Sequence, residues 1–453
     1  MSKHRQFHRR TAAAALATAM ALTGLTACAS GKSSESASTG SGQTLTYWSM
    51  WKQGEDQQKV LQASIDAFTA KTGIKVDVQW SGRQVLTQVM PRLSAGTVPD
   101  LVDGGGADLT GQLAPVDGAL GLNDVYASSP SGETRKISDI VPASLVARTV
   151  TKDGQPLVVP YEILGVTNWF NELRDPDLVA DPPKTWTDFV AVLDKLKAKG
   201  RTPISIEGDQ ADYEAYWYIY SLVRHGGVGL LDKAALDKTG AAFDDPAFLA
   251  AASDIDQLIK GGYIPADFTS TKYPVQQTGW ADGTNKTDFL LMGTWAPSET
   301  GDALTKAGKD LASTIKYRSM PFPTVDGGKG NTAVEVNTIG FAIPKRAKNA
   351  DAAKKFIEFF MAKDQIGGIS SVAKNLTPRT DVAPPAELAD FAKEYAAAGT
   401  TFLDKDGIGL DAPKWVSSVW QPLMLDFFNG KYDAAGFVAA LKSKSVAYYQ
   451  SIG

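Results

Sequence analysis

The sequence predicts an α/β protein built as two lobes. Three observations carry that expectation. The chain has 453 residues, too many for one small hydrophobic core. Roughly the first hundred residues of its body alternate strand-like and helix-like apolar patterns, the rhythm of right-handed crossovers in a parallel sheet. No Pro- or Gly-rich linker divides the body at a single point, so the chain is expected to cross between the lobes several times.

The alternation begins at "LTYW" (Leu45–Trp48), a short apolar strand expected to be buried on both faces. In the stretch after it, Val60, Leu61, Ile65 and Phe68 fall on one helical face, and Gly73 supplies the stop. "IKVDVQW" alternates Ile74, Val76, Val78 and Trp80 as a half-buried strand. A second helix carries Val85, Leu86, Val89, Met90 and Leu93 and ends at Gly96, and "PDLVDG" gives a third strand. In sheets of this kind ligands bind outside the carboxyl ends of the strands. Ser49–Trp51 and Asp103–Asp108 therefore share one candidate edge. Further on, Thr185 is a good N-cap with Asp188 three residues later, above the stripe Phe189, Val192, Leu193 and Leu196. "KNADAAKKFIEFFMAKDQ" repeats the design with Asn349 as cap, and helical patterning continues to the C-terminus.

The N-terminus reads as an address label. Lys3, Arg5, Arg9 and Arg10 precede an apolar run of 17 residues ending at Leu25-Thr26-Ala27-Cys28. That run is shorter than the ~20 residues a spanning helix needs. Its end resembles a bacterial lipobox, in which Cys28, the one cysteine of the chain, receives a diacylglyceryl group. Arg9-Arg10 resembles a twin-arginine signal, but the following Thr-Ala-Ala departs from it, so both export routes stay open. Residues 1–27 are thus expected as a lipoprotein signal peptide. Residues 28–43, rich in Ser and Gly, are expected as a lipid-anchored tether reaching roughly 20 Å. Setting aside the four basic residues of the leader leaves 42 basic against 50 acidic side chains, a net charge of −8. An acidic body is a poor partner for phosphate backbones, which argues against nucleic-acid binding.

Histidine narrows the chemistry further. His4 and His8 lie in the leader, so His225 alone remains in the body. A His-rich metal site cannot be assembled, a Ser-His-Asp triad would have to use that one residue, and no second thiol exists for a disulfide. "LVRHGGVG" places His225 at a helix end as a capping or surface residue. "DGGGAD" lacks both the dinucleotide and the phosphate-loop spacing, and "DKDG" lacks the closing Glu of a calcium loop and reads as a turn. Neither a cofactor nor a metal is expected. Carboxylate-pair glycosidase chemistry survives this filter, because acidic residues are abundant.

Taken in order, "LTYWSMW", "SAGTVPDLVDGG", "LVVPYEILGVTNWFNELRD", "PPKTWTDF", "DFLLMGTWAPSE", "YRSMPFPTVDGG", "TIGFAIPKRAKNADAAKKFIEFFMAKDQ" and "NLTPRTD" span nearly the whole body. This series resembles the solute-binding proteins of ABC importers, in the carbohydrate group that includes maltodextrin and oligosaccharide receptors. One departure is "NWFNELR", where members of that group more often carry Tyr-Asn-Lys. The resemblance implies a two-lobed periplasmic-binding-protein-like fold with a sugar, expected to be an oligosaccharide, held in the interlobe cleft. It implies hinge crossings near Tyr161–Val166, Glu335–Phe341 and Leu376–Arg379. Lobe one is then 44–160 plus 342–376, and lobe two 161–341 plus 377–453. The implied partners are a carbohydrate, the permease subunits of an importer, and the membrane through lipid on Cys28. A monomer on the outer face of a Gram-positive cell membrane, without enzymatic activity, completes the expectation. The rivals are the same fold binding a peptide, polyamine or metal chelate, and an extracellular glycoside hydrolase.

A pyranose offers C–H-lined faces to aromatic rings and a rim of hydroxyls to carboxylates, amides and Arg. Among ten Trp, Trp295 in "MGTWAPSE" is the leading candidate, after a small-residue turn and before a Pro-led helix. Trp51 leaves the carboxyl end of the first strand. Trp280 fits a ligand contact and a packed loop residue alike. Of Trp415 and Trp420 only one is expected in the cleft, with Trp415 preferred. Only one of Tyr216 and Trp217 is expected to face outward. Trp80, Trp169 and Trp186 are assigned to the core. The polar candidates are Asp103 and Asp108 at the strand edge, with Glu162 and Asn168 at the first crossing, Glu335 and Asn337 at the second, and Arg379 at the third. Arg379 has a structural alternative, pairing with Asp381.

Overall fold

The computed structural model describes residues 43–453. The leader, Cys28 and all but the last residue of the tether lie outside the described residues. Among those described, no helix is long and apolar enough to cross a membrane.

Strand β1 (Thr44–Ser49) pairs in parallel with β2 (Lys75–Trp80) and with β3 (Leu101–Gly105). The helices between them span Asp56–Thr72 and Val85–Ala95, and each stops at a glycine in the left-handed region, Gly73 and Gly96. β2 lies at the edge of the sheet, which is why Val76, Val78 and Trp80 are only half-buried. β1 also alternates: Leu45, Tyr47 and Ser49 are buried, while Thr46 and Trp48 are half-covered, Trp48 lying beneath Arg92.

The parallel expectation ends at β3. The next neighbour, β8 (Ala333–Ala342), runs antiparallel to β3, and β4 (Val159–Asn171) runs antiparallel to β8. Neither is delivered by a local strand-helix-strand crossover, so the crossover rule does not govern their direction. The order continues to β6 (Phe289–Gly293) and β5 (Ile204–Ser205), with β7 (Tyr317–Met320) on β4 and β9 (Thr400–Phe402) on β8. β4 pairs with β8 up to Gly165 and with β6 and β7 from Val166 onward. One strand thus runs out of one core and into the other.

Two cores flank that passage. One draws mainly on residues 45–161 and 339–373, with Phe68 edge-on to Phe356 at 5.3 Å. The other draws mainly on 163–336 and 376–441, and holds Trp169, Trp186, Trp217 and Trp420. Local signals read from sequence close as hydrogen bonds. Thr185 Oγ1 accepts from Asp188 N at 3.1 Å, and Asp188 Oδ2 accepts from Thr185 N at 3.2 Å. Asn349 differs from expectation. It makes no side-chain cap, and its amide instead donates to Asp100 Oδ2 and the Thr44 carbonyl, fastening the helix Ala350–Phe360 to β1. Asp100 collects Thr46 as well, and a carboxylate is the stronger acceptor for that amide.

Candidate functional site

A cleft of about 540 Å³ opens between the two cores. Its first wall is the loop leaving β1 and the start of the following helix: Met50, Trp51, Lys52, Glu55, Asp56 and Gln57, with Arg83. Its second wall is Tyr213, Tyr273, Trp295, Ser298, Glu299 and Asp302. The floor is Glu162 and Leu164 from β4, Ile339 from β8, and Ala373 and Asn375.

Trp51 is held on several sides. Its indole N–H donates to Tyr161 Oη at 2.8 Å, and Tyr161 donates to Asp103 Oδ2 at 2.8 Å. Asp103 also accepts from Tyr47 Oη at 2.7 Å, Ser49 Oγ at 3.1 Å and Met50 N at 2.6 Å. Arg83 lies 4.4 Å over the Trp51 ring while pairing with Glu55 at 3.0 Å. The second wall is more open. Trp295 stands at the start of the helix Ala296–Lys306 and is half-buried. Gly293 makes room for it, because a Cβ there would come 2.0 Å from the indole. Tyr213 lies 6.2 Å from Trp295 and 5.2 Å from Tyr273, ring centre to centre. Tyr273 Oη donates to Glu299 Oε2 at 2.6 Å, and Gln277 donates to the same oxygen at 2.8 Å.

Glu162 is the chemical centre of the floor. The β4–β8 register slips between Pro160 and Glu162. Proline cannot donate to the ladder, and such a bulge re-aims the next side chains. Glu162 is fully buried, and its Oε1 accepts from Gln57 and Asn375. Its Oε2 has no partner. Burial pushes this carboxyl up to about 7, against the pull of Gln57, Arg83 and Asn375.

Of the residues singled out from sequence, Trp51, Glu162 and Trp295 line this cleft. The others lie elsewhere. Asp103 is buried beneath the first wall, spending both oxygens on the loop it holds. Burial raises its carboxyl, and the hydrogen bonds from Tyr47, Met50, Tyr161 and Ser49 oppose the rise. Asp108 is exposed on the first turn of the helix Gly106–Leu113, in the field of Asp404 and Lys405. Trp280 is wholly buried and donates to the Asp288 carbonyl at 2.9 Å, because its turn folds back on β6. Trp415 stacks between Phe243 and Trp420 and donates to Ser445, and Trp217 stacks on Phe189 at 5.9 Å; both are core.

Asn168 sits mid-strand between β6 and β7 with its amide unpartnered. Glu335 is buried and accepts from Asn337 at 3.1 Å, and Asn337 in turn accepts from Asp404 N at 2.9 Å. Asn337 lines a separate cavity of about 110 Å³ with Arg148 and Asp406. Arg379 takes the structural alternative, gripping Asp381, Glu133 and the Met361 carbonyl with 2 % of its surface exposed. Against an unpaired buried guanidinium, two carboxylates are decisive.

Sequence reasoning missed Gln57, Arg83, Tyr213, Tyr273, Glu299 and Asn375. A signal existed for Glu299, one helical turn beyond Trp295, and for Tyr213, one turn before Trp217. Asn375 opens the segment "NLTPRTD", four residues before Arg379, and a lone Asn there carries no sequence signal.

Comparison with known proteins agrees with this architecture. The profile of the family described as bacterial extracellular solute-binding protein matches residues 51–366. The diacetylchitobiose binding protein NgcE of Streptomyces coelicolor is 24% identical over 388 residues, 82% of this chain and 78% of its own. A maltooligosaccharide ABC transporter solute-binding lipoprotein of Streptococcus pneumoniae is 24% identical over 427 residues, 90% of each chain. The solved apo-form of RafE from Streptococcus pneumoniae superimposes with a TM-score of 0.71 at 16% identity, covering 90% of this chain and 98% of that one. The match over most of the body makes the conclusion plain: the chain belongs to the bacterial extracellular solute-binding proteins.

Proposed function

We propose that this protein captures a saccharide, an oligosaccharide by the size of its cleft, and presents it to the permease of an ABC importer. The observation that carries the reading is the composition of the cleft. Aromatic rings stand on both walls, Trp51 on one and Trp295, Tyr213 and Tyr273 on the other, above a polar floor of Glu162 and Asn375. Rings pack on the C–H faces of a pyranose, and the floor receives its hydroxyls. The kinship with a diacetylchitobiose binding protein and a maltooligosaccharide receptor points the same way.

In this reading lobe one is 44–160 plus 342–376 and lobe two is 161–341 plus 377–453, a division supported by the two cores and by the continuous run of β4 between them. Closure is a ligand-driven population shift with no bond chemistry. The sugar must contact both walls, because a ligand with equal affinity for open and closed forms shifts nothing. Lipid on Cys28 holds a monomer at the outer face of a Gram-positive membrane, and the Ser/Gly tether gives it reach.

Thermal unfolding with a panel of mono- and oligosaccharides tests the reading. A ligand at a hundred times its Kd stabilises by about 2.7 kcal/mol, a shift of a few degrees. One sugar class is expected to give that shift without being hydrolysed. A panel that moves nothing, or a sugar that is cleaved, overturns the reading.

A further inference from the structure

The charges around the cleft do not balance. Its lining holds five carboxylates, Glu55, Asp56, Glu162, Glu299 and Asp302, against two cations, Lys52 and Arg83. Glu55 is matched by Arg83 at 3.0 Å, and Asp56 by Lys59 at 2.6 Å. Arg83 is further committed to the Met50 carbonyl and the Trp51 face. Lys52 is exposed at the rim. Glu162, Glu299 and Asp302 are left, and among the described residues none of the three forms an ion pair within 4.0 Å. Glu162 matters most, since it is fully buried and keeps one oxygen without any partner.

The surplus deepens behind the second wall. Glu207 is buried with Oε1 unpartnered, and Glu214 is buried with both oxygens unpartnered. Glu207 lies near Gln277, whose side chain holds Glu299, and its charge is felt at Tyr213. Burial pushes Glu207 and Glu214 each up to about 8, and Asp209 reinforces both. Carboxyls buried without partners along one side of a cleft are costly to ionise, so each is neutralised either by a bound proton or by an arriving cation that takes the proton's place. A neutral hydroxyl satisfies a lone pair but leaves the charge. Arg83 already takes the Trp51 face, but the rings of Tyr213, Tyr273 and Trp295 line the same space, and aromatic faces attract cations.

We infer that the cargo is an amino-saccharide bearing at least one unacetylated amine, whose ammonium group is received by Glu162 and Glu299 between the aromatic walls. The inference rests on the sugar reading of the cleft and adds the charge of the ligand. Glu162 supplies the buried receiving oxygen, and Glu299 the wall-side carboxylate. Acetylating the amine removes the charge and leaves the sugar rings in place, which isolates the claim.

Isothermal titration of the protein near neutral pH with a glucosamine trisaccharide, its fully N-acetylated counterpart and spermidine tests it. The free-amine trisaccharide is expected to bind at least roughly tenfold tighter than the acetylated one, about 1.4 kcal/mol. Raising the salt should narrow the gap only slightly, because the receiving carboxylate is buried. Glu162→Gln and Glu299→Gln should each shrink the ratio of the two affinities towards unity, with circular dichroism and thermal midpoint reporting that the fold is intact. The wild-type comparison stands by itself if either variant fails to fold. Equal or tighter binding of the acetylated trisaccharide overturns the inference and leaves the sugar reading standing. Spermidine binding as tightly as the amino-saccharide, or no saccharide binding at all, overturns both.

Discussion

The two walls of the cleft use aromatic residues in opposite ways. On the first, Trp51 is 5 % exposed, hydrogen-bonded through Tyr161 to Asp103 and covered by Arg83. On the second, Trp295, Tyr213 and Tyr273 are half-buried and lean on one another, with only Tyr273 tied by its hydroxyl to a carboxylate. The first wall is a preorganised edge built into a folding core. The second presents area. A loop leaving a strand has little surface to spare, so its Trp is fixed by burial, whereas a helix start projects its side chain outward. Breaking the first wall should therefore cost stability, and breaking the second should cost affinity.

Asp103→Ala strikes the first wall hardest. It strands the hydroxyls of Tyr47 and Tyr161 and the Met50 N–H, and urea unfolding is expected to show a loss of about 3–4 kcal/mol. A loss below 1 kcal/mol would dissolve the contrast between the walls.

The floor between the walls has a pH signature. Glu162 has a folded pKa of about 7, above its unfolded value of about 4.3. The folded state therefore binds the extra proton, and stability falls as pH rises from about 4.5 to 7 and stays lowered above. Glu162→Gln removes that loss, so the variant should gain up to about 3 kcal/mol over wild type near pH 8 and almost nothing near pH 4. Equal gains at both would show that the carboxyl is not held in this way.

Trp295→Ala should leave the thermal midpoint within a few degrees while weakening sugar binding by about 2 kcal/mol, read by titration calorimetry. Unchanged affinity removes Trp295 from the contact surface. Tyr273→Phe is the finest probe. It takes one donor from Glu299, and about 1 kcal/mol of affinity with little change in stability is expected. A stability loss larger than the affinity loss would move Tyr273 into the same class as the first wall.

Much of the fold was legible because local physics decides it. The 3.6-residue stripe with a following glycine marks the helices Asp56–Thr72 and Val85–Ala95, and Thr185 with Asp188 marks a helix start that the structure closes reciprocally. Trp169 and Trp186 read as core from their runs and are core. Asn349 shows the limit, since a cap signal was outbid by a carboxylate distant in sequence. Trp280 shows it again, because its N–H is taken by the carbonyl of Asp288 after a turn whose path no periodicity reveals.

By itself, then, the sequence determined that this chain alternates strands and helices, carries a leader-like N-terminus, and is stocked with aromatic residues and carboxylates but one body histidine. Which aromatics meet a ligand was decided only by tertiary structure. Tyr213 and Trp217 share a face of one helix, yet the first opens on the cleft and the second lies under Phe189 and Phe322. A helical pattern states which side is apolar, and only the neighbouring element states how far along the helix that side is covered. The same reason governs Glu162, whose burial, bulge and free oxygen arise where β4 meets β8 and Asn375 from another part of the chain.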